Sequence, residues 1–140
     1  MKLIVRKVCI PLGLKIPVRG NAQTDFNNSD PKLIYSGTLP EDNLSQIFEV
    51  EIIGKSADNS IRLGYTVKFM VTRRGAESPS AYSVDVGTES WLVKQDGDIE
   101  FQIVAVGDTN YQIEAVDSSG DLGIVDWKYS IQLKESQSLA

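Results

Sequence analysis

The sequence predicts an all-β protein: an antiparallel β-sandwich or jelly-roll-like domain with an extended N-terminal arm. Three observations carry this. The stretch Ile61–Thr72 puts Ile61, Leu63, Tyr65, Val67, Phe69 and Val71 on one face and Arg62, Thr66, Lys68 and Thr72 on the other. Such period-two alternation marks a strand with one buried and one wetter face. From residue 46 onward, turn-forming residues recur about every 8–12 residues, the spacing of short antiparallel strands. No segment sustains a helical period.

Taken in order, residues 2–10 alternate loosely and read as a strand, placed at an edge or in an extended arm. Pro11 and Pro17 exclude a central strand, because proline gives no N–H to a ladder. Residues 19–31, RGNAQTDFNNSDP, read as a polar link rich in turn formers, with Phe26 its one large apolar residue. Lys32–Tyr35 is a short apolar run. Residues 36–45 hold a candidate helical turn, with Pro40 at its start and Glu41 and Asp42 near its positive end. Residues 1–45 therefore read as arm and linker, and residues 46–135 as the sandwich domain.

Within that domain Ile47–Ile53 is a strand, Gly54–Ser60 a turn, and Ile61–Thr72 the central strand. Arg73-Arg74-Gly75 reads as a charged tip. Tyr82–Val86 and Ser90–Val93 read as two strands split by a turn at Gly87-Thr88. Gln95–Asp98 carries Asp-Gly at its centre and predicts a tight hairpin. Ile99–Val106 and Tyr111–Val116 follow as strands. After a polar loop at 117–123, the last strand alternates Trp127, Tyr129, Ile131 and Leu133 with Lys128, Ser130, Gln132 and Lys134. Residues 136–140 read as a polar tail.

Composition narrows the chemistry. The net charge of −5 and the interspersed charges lack the clustered basic face of a nucleic-acid binder. With no histidine, serine–histidine and cysteine–histidine nucleophile pairs and imidazole zinc sites are excluded. Cys9, the only cysteine, cannot form an internal disulfide and reads as a small packed hydrophobe. Arg6, Lys7 and Lys15 break the N-terminal apolar run, so neither a secretory signal nor a membrane span is expected. The expectation is a soluble protein made in the cytoplasm, with no cofactor and no membrane partner.

The motif order from residue 46 to 135 resembles a known group. Phe48–Asp58, containing Ile53-Gly54-Lys55 and Asp58, opens the match. Tyr65, the Arg73-Arg74-Gly75 turn, Thr88 before Trp91, and Ile99–Val106 with Gly107 follow. Ile124, Trp127 and Tyr129–Leu133 close it. This pattern resembles a small β-sandwich module of tailed-bacteriophage virion structural proteins, found in capsid decoration (cement) proteins and tail fibres. The resemblance implies a non-enzymatic virion protein, commonly a homotrimer, whose partner is the major capsid protein or a tail component. A capsid decoration protein bracing the shell is the leading expectation. A tail-fibre or baseplate adhesin binding host-surface glycans is the alternative.

Candidate sites follow from the residues. Ile4, Val8, Ile10, Leu12, Leu14 and Ile16, with Phe26, form an apolar, proline-punctuated set that needs a partner surface. Arg73 and Arg74 are candidate loop contacts to an acidic partner, or a solvated tip. Asp117, Asp121 and Asp126 surround Ser118-Ser119-Gly120 and offer calcium-type oxygens, but lack the EF-hand spacing; a solvated hairpin loop is the favoured reading. Trp91, Trp127, Tyr82, Tyr111 and Tyr129 would stack on sugars if exposed, whereas strand positions favour the core. No pair of carboxylates stands out as the acid and base of a glycosidase.

Overall fold

The computed structural model describes residues 17–38, 44–74, 82–107 and 110–138, with the side chains of 82 and 83 left aside. The described chain forms eight strands and no helix: β1 (Val18–Phe26), β2 (Lys32–Thr38), β3 (Leu44–Ser56), β4 (Arg62–Arg73), β5 (Tyr82–Lys94), β6 (Ile99–Val106), β7 (Asn110–Asp117) and β8 (Gly123–Ser138). They build two antiparallel sheets, ordered β1-β8-β3-β4-β5 and β2-β7-β6. The fold is the expected β-sandwich.

The alternation at Ile61–Thr72 plays the expected part. β4 lies between β3 and β5, and Leu63, Tyr65, Val67, Phe69 and Val71 are all buried. They meet Ile99, Tyr111, Ile113 and Ala115 of the smaller sheet. Burying a large apolar side chain contributes about 1.5–3 kcal/mol, so this stripe contributes substantially to sheet-on-sheet cohesion. Rings run through the core in contact: Phe48 stacks on Phe69 at 5.5 Å and Tyr65 on Phe101 at 4.4 Å.

Three cross-strand pairs set a glycine opposite a large ring: Gly20 with Tyr129, Gly37 with Tyr111, and Gly54 with Trp127. In each pair the ring occupies the space that a Cβ on the glycine would need. The missing side chain on one strand makes room for the aromatic on the next.

Several expectations need correction. Residues 18–38, read as arm and linker, belong to the sandwich. β1 pairs with β8 from Val18–Ile131 to Phe26–Gly123, and β2 pairs with β7. Phe26, read as part of a partner-binding arm, is 0% exposed in the core. The inward positions of β1 are Gly20, Ala22, Thr24 and Phe26. These residues are small or polar but for the last, so their alternation was masked by turn-forming types. Gly87-Thr88 is not a turn: β5 runs unbroken, and register shifts against β4 absorb its irregular pattern. β8 extends to Ser138, into the expected tail.

The Asp96-Gly97 turn is not a hairpin either. β5 pairs with β4 while β6 pairs with β7, so this turn carries the chain from one sheet to the other. Ile4, Val8, Cys9, Ile10, Leu12, Leu14, Ile16 and the Pro40 turn lie outside the described residues.

Candidate functional site

The polar turns are built by short side chains that satisfy their own backbone. At the β3–β4 hairpin, Asn59 takes a left-handed conformation with φ of 63°. Asp58 holds this turn. Ser60 donates to it from Oγ at 2.6 Å and from its backbone N–H at 2.9 Å, and Ser56 Oγ donates at 2.8 Å. These bonds, those from Ser60 foremost, hold the Asp58 carboxyl at about 2, below its ordinary 3.8.

Asp117 does the same work between β7 and β8, but from the interior. Its side chain is 0% exposed. Oδ2 accepts the N–H groups of Asp121 at 3.1 Å and Leu122 at 3.0 Å, and Oδ1 accepts from Ser119. Burial pushes this carboxyl up, but the bonds from Ser119, Leu122 and Asp121 outweigh it and hold its pKa below the ordinary range.

The expected Asp117, Asp121 and Asp126 grouping is therefore divided. Ser119 Oγ lies 2.7 Å from Asp121 Oδ1, so Asp121 stays with the loop. Asp126 sits on β8 and accepts from Gln23 Nε2 of β1 at 2.8 Å. The fold brings Asp96 and Asp98 to Asp117 instead, with one carboxylate oxygen from each within 4.8 Å of the others. Sequence spacing could not show this, because the approach depends on the crossover between sheets. Both oxygens of Asp117 are already committed to the loop, and Asp96 Oδ1 accepts the Asp98 N–H at 2.9 Å. Loop anchoring accounts for the cluster.

The aromatic candidates are mainly core residues. Trp127 and Tyr111 are buried, and Tyr129 is half-buried with its ring 5.3 Å from that of Tyr35. Trp127 Nε1 donates to Thr24 Oγ1 at 2.9 Å. Trp91 is half-buried beside Tyr65 and Phe101, under the ammonium of Lys94 at 4.9 Å. Tyr82 pairs with Arg73 in the β4–β5 ladder. Arg73 is thus a half-buried strand-end residue and not a loop tip, while Arg74 is exposed.

The feature that sequence reading missed lies on the outer face of the larger sheet. There a cavity of about 630 Å³ crosses β1, β8, β3 and β4. One wall is a cross-strand row of Gln23, Asp126, Lys55 and Arg62, consecutive partners in the ladders. The opposite wall holds Asn21, Lys128 and Ile53, and the backbone of Ala22, Trp127 and Gly54 lies between. Among the described residues, Lys55, Arg62 and Lys128 form no ion pair. Each residue is unremarkable in sequence; only strand order makes them neighbours.

The same face carries an apolar patch. Ile53 is 65% exposed and Leu92 is 71% exposed. Gly64 lies between them, the ladder partner of both Ile53 and Val93. A Cβ there would meet Leu92 and Val93 at 3.7–3.8 Å. The patch ends on β5, an edge strand whose only described partner is β4.

No protein-family model matches the chain, and no curated protein matches its sequence. Among solved structures, the tailspike protein of Acinetobacter baumannii phage AM24 is similar with a TM-score of 0.48 and 11% identity. The alignment covers 84% of this chain and 26% of the tailspike chain, so the chain spans about a quarter of that protein's length.

Proposed function

We propose that this chain is a non-enzymatic structural module of a phage virion, specifically a capsid decoration protein that braces the shell as a homotrimer. The observation that carries an assembly role is the exposed apolar row from Ile53 across Gly64 to Val93 and Leu92, ending on β5, which among the described residues is the edge strand of its sheet. Contiguous apolar surface and an uncovered strand edge are both costly on a lone domain and are relieved by association. The sequence resemblance supplies the virion context. Repeated weak contacts across a shell would then add through multivalency. Quantitative mass spectrometry of purified particles tests this. Hundreds of copies per particle are expected; a few copies, or none, contradicts the decoration role.

The outer-face groove favours a second reading, a tail-fibre or baseplate adhesin that binds host-surface glycans. Its amides, cations and carboxylate offer both donors and acceptors to a polyhydroxylated ligand. That reading moves glycan recognition away from the aromatics, most of which the core has taken.

A further inference from the structure

We propose that the groove across β1, β8, β3 and β4 binds an oligosaccharide that carries carboxylate groups. The inference rests on the adhesin reading and names its ligand class.

The groove is cationic on an acidic chain. Three cations, Lys55, Arg62 and Lys128, face one carboxylate, Asp126, on a chain whose net charge is −5. Among the described residues these cations have no ion-pair partner. They stand on both walls, so an anion between them is approached from two sides. Arg62 presents a planar fork suited to a carboxylate, and the two lysines act as point charges.

The other groove residues suit a sugar better than an acidic peptide. Asp126 would repel a row of acidic side chains. A sugar hydroxyl, in contrast, can donate to it. Asn21 and Gln23 lie two residues apart on β1, and each offers a donor and an acceptor to adjacent hydroxyls. Ile53 gives an apolar surface for a ring face. Crossing four strands, the trough extends about 14 Å, long enough for several linked sugars.

The test is amide chemical-shift mapping on the full chain. The ligands are oligogalacturonate, hyaluronate oligomers and sialyllactose, with maltohexaose as neutral sugar and poly-glutamate as acidic peptide. At least one acidic oligosaccharide is expected to shift amides around Asn21–Gln23, Ile53–Lys55, Arg62 and Asp126–Lys128, with affinity falling as salt rises. Combining Lys55→Gln, Arg62→Gln and Lys128→Gln is expected to weaken it by about tenfold per cation removed. The variant's own spectrum reports that the fold is kept. Maltohexaose binding in the groove as strongly as the acidic sugars overturns the inference and leaves the adhesin reading standing. So does acidic-sugar binding that maps elsewhere or survives the triple substitution. Binding of poly-glutamate with no shift from any sugar makes the groove a peptide site and defeats both the inference and the adhesin reading. No shift with any sugar defeats both.

Discussion

Thr24 and Trp127 show how much one hydrogen bond decides. The indole N–H is buried beneath two sheets, and Thr24 Oγ1 is its acceptor. Thr24→Val keeps the shape and removes the acceptor. It should lower unfolding free energy by about 1–3 kcal/mol, the cost of an unsatisfied buried donor, read from denaturant melts. Asp58 and Asp117 give the acid limit. Both have folded-state values below the ordinary carboxylate range. Their contribution is therefore complete above the unfolded-state value and is lost as pH falls through the folded one. Stability should decline from about pH 4 towards pH 2. Asp117→Asn should be less stable near neutrality and show a shallower decline, which denaturant midpoints measured across that range would reveal. A decline equally steep in the variant would remove Asp117 from the explanation.

At the scale of elements, β1 is the instructive strand. Its outward residues Arg19, Asn21, Gln23 and Asp25 and its inward Gly20, Ala22 and Thr24 resemble a linker by type, and only Phe26 hints at burial. The strand exists because β8 offers an edge, and because Gly20 leaves room for Tyr129. Such information belongs to the partner strand and cannot be read from β1 itself. β4, by contrast, was legible because its inward face is apolar at every step. β5 looks like two strands in sequence because Gly87-Thr88 resembles a turn; its irregularity is absorbed by slipping register on β4, which a single-strand pattern does not encode. Deleting residues 1–26 removes β1 and Phe26 and bares β8. The truncated chain should fail to fold, giving collapsed amide dispersion. A well-dispersed spectrum would restore the boundary near residue 46.

For the molecule as a whole, the two sheets put different demands on their surroundings. Polar turns that bind their own backbone close the ends of both sheets, at Asp58 between β3 and β4 and at Asp117 between β7 and β8. The larger sheet presents a cationic groove and an apolar patch side by side on one face. The sandwich class was legible from alternation and turn spacing. The groove was not, since Asn21 of β1 and Lys128 of β8 lie far in the chain from the β3–β4 hairpin that carries Ile53 and Arg62, and they meet it only through the order β1-β8-β3-β4. Arg73 and Phe26 were candidates for contact with a partner, yet one closes a strand and the other fills the core.

A structural role in a virion requires association, through the apolar row and β5. Sedimentation equilibrium of the full chain measures it most directly. The expected mass is three times the 15.4 kDa of one chain, falling to a single chain when Leu92→Glu and Val93→Glu are introduced together, with the amide spectrum still that of a folded sandwich. A wild-type chain that stays monomeric at concentrations of about 100 μM, or a trimer indifferent to both substitutions, would contradict it.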